Sequence, residues 1–149
     1  SGETTVSEKN TAKTLGSGGL DVFATPAMIL LMENTAAESV AKFLDENFST
    51  VGTKIDIKHL SPSPIGAKIT CNTKVISQDR AKIEFEVKAF DNAGLIGEGK
   101  HERFIIDKET ACTKIMQAVS LILFILLLSK RLHPTPLQIP TKPGDWSDA

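Results

Sequence analysis

Two cysteines, no surplus of charge and no phosphate-loop ending close off several common chemistries for this chain of 149 residues. Cys71 and Cys112 have neither metal-ligand spacing nor the number needed for a disulfide framework. Both read as small inert hydrophobes of a reducing compartment, and no metal site is expected. Lys and Arg number 17 against 18 Asp and Glu, a formal net charge of −1. That offers no global basic field, so no nucleic-acid partner is expected. The run Gly16-Ser17-Gly18-Gly19 lacks the Gly-Lys-Ser/Thr ending of a nucleotide phosphate loop. No secretory signal opens the chain, Ser1-Gly2 reads as a tag remnant, and the expected location is cytoplasmic.

What is present begins with a helix. Thr25 has N-cap chemistry, Pro26 suits the first helical position, and Ala27 to Met32 is wholly apolar. With no polar face left for water, this helix is expected to be surrounded by protein from Pro26 to about Leu44. Its first ionisable side chain is Glu33, whose helical neighbours are Ile29, Leu30, Ala36 and Ala37. A lone carboxylate there is costly unless it is partnered or used.

Residues 1–10 read as a polar lead-in, and Thr11 to Thr14 as a first strand. After the helix, Lys54 to His59 alternates, with Ile55, Ile57 and His59 on one face. Ser61 to Gly66 is a turn by composition. Ile69, Cys71, Thr73 and Val75 share a face of the next strand. Ile83, Phe85, Val87 and Ala89 alternate with Lys82, Glu84, Glu86 and Lys88, the pattern of a sheet wet on one side. Asp91-Asn92-Ala93-Gly94 turns the chain into a last strand from Leu95 to Ile106. One long helix covered by an antiparallel meander is an α+β arrangement.

Three polar groups stand where apolar ones are expected: Thr25 at the helix start, Glu33 inside it, and His59 on the apolar face of a strand. A hydroxyl, a carboxylate and an imidazole directed to one helix–sheet seam are the parts that activate water or attack a carbonyl. Each also has a plain structural reading, as a cap, an ion-pair partner and a hydrogen-bonded core histidine.

The segments Val22-Phe23-Ala24-Thr25, Leu31-Met32-Glu33, Lys58-His59, Pro64-Ile65-Gly66 and Gly97-Glu98-Gly99-Lys100-His101-Glu102-Arg103 resemble the hotdog-fold thioesterases similar to fluoroacetyl-CoA thioesterase. The resemblance runs from about Thr11 to Lys108. It implies a hotdog fold, in which an antiparallel sheet wraps a long central helix, and homodimers with active sites at the interface. It implies hydrolysis of acyl-CoA thioesters by Thr25, Glu33 and His59, with Gly66 close to the substrate. Coenzyme A is then part of the substrate, and no separate cofactor is expected. Amides after Thr25 would serve as oxyanion donors, less the one that Pro26 lacks. Arg103 is a second candidate substrate contact, able either to meet a CoA phosphate or to neutralise a buried acid. Two other activities stay open, a non-catalytic acyl-CoA-binding module and an enoyl-CoA hydratase or dehydratase.

Thr25 and Glu33 are eight residues apart, a helical rise of ~12 Å, so both cannot touch one carbonyl of a small thioester from the same chain. Either the substrate bridges them with the backbone bent at Thr25, or Glu33 meets Thr25 of a two-fold partner, and the second reading is favoured. The domain is expected over 11–114. Beyond it, 115–131 is an apolar, helical segment, expected to pack on the domain or across an oligomer rather than on a membrane, and 132–149 is an irregular Pro-containing tail.

Overall fold

In the computed structural model, which describes residues 1–132, a long helix lies on one face of a five-stranded antiparallel sheet. The elements run β1 (Gly2–Thr5), α1 (Thr25–Ala41), β2 (Phe48–His59), β3 (Lys68–Asp79), β4 (Lys82–Asp91), β5 (Gly94–Asp107) and α2 (Lys108–Leu132). Strand order is β1-β3-β4-β5-β2, which leaves β1 and β2 at the edges. The chain divides after Thr110, and the second unit begins at Ala111.

The sheet follows the alternation of its residues. On β4, Ile83, Phe85, Val87 and Ala89 are buried, while Lys82, Glu84, Glu86 and Lys88 are only partly covered. Phe85 and Phe23 are each about fully buried, a contribution of roughly 1.5–3 kcal/mol apiece from removing such a side chain from water. The β4–β5 turn is held by Asp91, whose Oδ1 accepts from the Ala93 and Gly94 amides at 2.8 and 3.1 Å. The other oxygen, Oδ2, accepts from the buried Ser63 hydroxyl at 2.6 Å, and these bonds hold the Asp91 pKa below its ordinary value.

Helix α1 buries Met28, Met32, Thr35, Ala36 and Val40, a single stripe at helical spacing. Met28 fits because Gly97 lies opposite: a Cβ there would come within 2.5 Å of its sulfur. The expectation of a helix enclosed on every side is not met within one chain. Leu30 is 58 % exposed, and Ile29, Glu33 and Ala37 are partly exposed. One sheet covers one face only.

Three boundaries differ from expectation. The helix stops at Ala41, where Phe43 and Leu44 bond back to Val40 and Ala41 in a tighter turn. The first strand is Gly2–Thr5, inside the expected lead-in, and it pairs with Lys68–Cys71 of β3. Thr11 to Thr14 is a turn instead: the Thr11 hydroxyl accepts from the Thr14 amide at 3.2 Å, a local bond that competes with a strand ladder. Finally, 115–131 falls inside α2, on which Met116, Leu121, Ile122, Phe124 and Ile125 are exposed. Among the described residues no helix is long and apolar enough to cross a membrane. The tail expected over 132–149 lies outside the described residues, apart from Leu132.

Candidate active site

Ala24, not Thr25, is the N-cap of α1; Thr25 is its first residue and Pro26 its second. Thr25 therefore spends its hydroxyl elsewhere. Its Oγ1 lies 2.8 Å from Nδ1 of His59, at the far end of β2. His59 is brought there by the β2–β5 ladder, which sets it opposite Gly97. Burial lowers the His59 pKa from 6.5, with the Ser61 backbone working weakly against it. Its Nε2 is buried and has no hydrogen-bond partner among the described residues. The pair opens on a cleft of about 290 Å³ whose walls include Ser17, Val22, Phe23, Leu60 and Pro62.

The start of α1 also supplies donors. The Ala24 amide is taken by the Asn10 carbonyl and the Met28 amide by the Ala24 carbonyl, each at 3.0 Å. Between them the Thr25 and Ala27 amides precede any helical carbonyl in reach, and Pro26 has none. Two N–H groups thus stand in the first turn, at the positive end of the helix dipole.

Glu33 is in a different place. It lies two turns along α1, partly exposed, facing β2 and β5 rather than His59. A Cβ on Gly52 would stand 2.7 Å from Glu33 Oε1, 3.1 Å from His101 Cε1 and 3.7 Å from Arg103 Nη1. Gly52 is thus the floor of a small charged cluster. It pairs with Arg103 across the sheet, next to a β-bulge between Gly52 and Lys54 that bends the strand there.

Arg103 is 7 % exposed. Its Nε donates to Thr50 Oγ1 and its Nη2 to the Thr50 carbonyl, both at 2.8 Å. Its Nη1 makes a long bond of 3.4 Å to the Glu33 carbonyl and lies 3.1 Å from His101 Nε2. Burial lowers the guanidinium pKa, and the Glu33 charge opposes that.

The structure therefore joins Thr25 to His59, and Glu33 to Arg103, but keeps the two groups apart within the chain. Gly66 is exposed at a turn with φ +90°, a conformation that suits glycine, and its amide bonds to the Val6 carbonyl at 2.8 Å. It adjoins the bridge between Val22 and Pro64 and does not line the cleft. Gly52 and Thr50 escaped the sequence reading. A glycine inside a strand pattern is a signal for a bulge or a close approach, and Gly52 carries both. Among the described residues no three His, Cys, Asp or Glu side chains stand together as a metal site.

A helix wrapped on one face by a curled antiparallel sheet, with polar groups along the seam, defines the hotdog class of α+β thioesterase folds. A hot-dog-like protein from Thermanaerovibrio acidaminovorans shares that fold at a TM-score of 0.72 and 24% identity, over 78% of this chain and 86% of its own.

The family is narrower than the fold. The family model described as fluoroacetyl-CoA-specific thioesterase matches residues 6–109. Fluoroacetyl-CoA thioesterase from Streptantibioticus cattleyicolor is 32% identical over 97 residues, 65% of this chain and 70% of that protein. A mutant of the fluoroacetyl-CoA-specific thioesterase, in complex with fluoroacetate and CoA, has a TM-score of 0.73 at 28% identity, covering 78% of this chain and 95% of that one. The chain belongs to this family, and it is a thioesterase.

Proposed function

We propose that this chain hydrolyses acyl-CoA thioesters with Thr25, His59 and Glu33, and that the working site is completed by a second copy of the chain. The observation that carries the reading is the 2.8 Å contact of Thr25 Oγ1 with His59 Nδ1 at the start of α1, facing an open cleft, in a chain of this family. Burial favours the neutral imidazole of His59 near pH 7. With its proton on Nε2, that ring accepts from the Thr25 hydroxyl at Nδ1. The Thr25 and Ala27 amides supply hydrogen bonds where the thioester oxygen gains charge. Glu33 either takes a proton from the water that attacks the thioester carbon, or attacks that carbon itself to form an anhydride that water then opens. In both routes the C–S bond breaks and CoA leaves as a thiolate that takes up a proton.

The split between the two clusters supports the shared site. A ~12 Å rise separates Thr25 from Glu33, while Glu33, turned toward β2 and β5 yet partly exposed, borders the helix face that its own sheet leaves open at Leu30. A two-fold partner laid on that face brings its own Thr25 toward Glu33. Gly66 is proposed to approach the substrate from its turn, while Arg103, buried and with most of its donors engaged inside the protein, takes the alternative role of facing the Glu33 acid.

Free-thiol release across a panel of acyl-CoA thioesters tests the activity. Turnover on any member excludes a purely binding role, and hydration of an enoyl-CoA without CoA release overturns hydrolysis. Subunit sharing is tested by mixing Thr25→Ala and Glu33→Ala chains through unfolding and refolding. About half of a statistical mixture is heterodimer with one intact site in two, so activity should return to roughly a quarter of wild type. Verified heterodimers without activity place both groups in one chain.

A further inference from the structure

We propose that Thr50 and His101 are positioning residues for Glu33, acting through Arg103; this rests on the reading of Glu33 given above. Arg103 is gripped along one edge of its planar guanidinium, Nε by the Thr50 hydroxyl and Nη2 by the Thr50 carbonyl, both at 2.8 Å. Such paired bonds fix the plane as well as the place of the charge. The opposite corner, Nη1, meets His101 Nε2 at 3.1 Å and the Glu33 carbonyl at 3.4 Å.

The histidine's proton is assigned by its partners. His101 Nδ1 lies 2.8 Å from the Lys54 carbonyl, which only accepts, so Nδ1 carries the hydrogen. Nε2 is then the acceptor for Arg103 Nη1. His101 is 1 % exposed and stacks on Phe85 with ring centroids 6.3 Å apart, so its ring has no room to turn away. A neutral imidazole thus holds the guanidinium without adding a second buried cation.

The fixed charge stands next to Glu33 but not on it. Glu33 Oε1, His101 Cε1 and Arg103 Nη1 all converge on Gly52, yet no ion pair between Glu33 and Arg103 within 4.0 Å occurs among the described residues. A contact pair would occupy the carboxylate oxygens that a base or nucleophile needs. A cation held one step away orients the carboxylate while leaving those oxygens to the substrate. With most of its donors engaged inside the protein, Arg103 has little left to offer a CoA phosphate.

The test measures the full-length protein on the fastest substrate of a straight-chain acyl-CoA panel. Thr50→Val should lower kcat about tenfold with KM within about twofold of wild type, and Thr50→Ser, which keeps the hydroxyl, should stay within about twofold in both. In a Glu33→Ala background, Thr50→Val should lower kcat no further, because its effect runs through the missing carboxylate. If Thr50→Val does not fold, His101→Asn carries the same expectation, since it still donates to the Lys54 carbonyl but offers Arg103 no ring acceptor. An equal loss of kcat in both backgrounds overturns the proposal, as does a rise in KM alone, which would give Arg103 to the substrate. Undiminished kcat in Glu33→Ala alone removes the reading of Glu33, and the proposal with it. An inactive Glu33→Ala beside an uncoupled Thr50→Val removes the proposal only.

Discussion

At the start of α1 one hydrogen bond joins Thr25 to His59 above an open cleft, whereas two turns later Glu33 stands beside a buried guanidinium with four polar contacts. The first group is built to change: a hydroxyl and an imidazole can pass a proton, and the imidazole has a buried nitrogen with no partner among the described residues. The second is built to stay: Arg103 and His101 are buried and held by backbone carbonyls and Thr50, while the Glu33 side chain is partly exposed. A pair open to a cleft and a charge fixed inside the protein thus stand two turns apart along one helix.

The largest effect should come from the fixed end. Glu33→Ala is expected to cut turnover at least about a hundredfold, the range for a positioned base, with a thermal melt close to wild type. Unchanged turnover would reduce the second cluster to a structural device, and a collapsed melt would make Glu33 part of that device.

His59→Gln should cost about thirtyfold, less than full loss because glutamine keeps a donor and an acceptor but does not titrate near neutrality. Since burial lowers the His59 pKa from 6.5, the wild-type rate should fall only as pH drops below that value, when the imidazole is protonated and no longer accepts from Thr25. The Gln variant should lack this acid limb. Matching profiles would put His59 outside the chemistry.

Gly52→Ala separates site from scaffold more gently. The new Cβ displaces the end of the Glu33 side chain and presses at 3.1 Å on the fixed His101 ring, so turnover should fall about tenfold with only a small loss of stability. Gly97→Ala should do the reverse. Its Cβ meets the Met28 sulfur and, at 3.1 Å, the Lys58 carbonyl, so denaturant titration should show a loss of about 1–3 kcal/mol. If both glycines behave alike, the distinction between the clusters fails.

The smallest expected effect is on stability against pH. The unfolded chain takes up the His59 proton near pH 6.5 and the folded chain at lower pH. Stability is therefore lost as pH falls from 6.5 through the folded value, and is untouched above it. Melts of wild type and His59→Gln should diverge slightly below pH 6.5, and parallel curves would mean that the imidazole is not buried in solution.

Much of this was legible in the chain. The alternation on β4, the Asp91–Gly94 turn and the apolar run of α1 all reappear, because each is a local pattern with one favourable partner surface. Thr25, Glu33 and His59 stood out for the same reason, as polar groups in apolar surroundings. Thr50 and Gly52 did not, since a threonine and a glycine in a strand are ordinary until Arg103 arrives opposite them from 51 residues away in sequence at Gly52. The misplaced first strand has a similar origin: Gly2–Thr5 forms because β3 offers an edge, not because its own residues demand it.

The sequence by itself determined the elements, the α+β class and which side chains had chemistry to spare, because short-range periodicity and side-chain type are properties of the chain. Only the tertiary structure decided who meets whom. It took Thr25 from the cap and gave it to His59, and it enclosed Arg103 between Thr50 and His101. Those pairings depend on the register of β2 against β5 and on which face of α1 the sheet covers, and neither is written in any single segment.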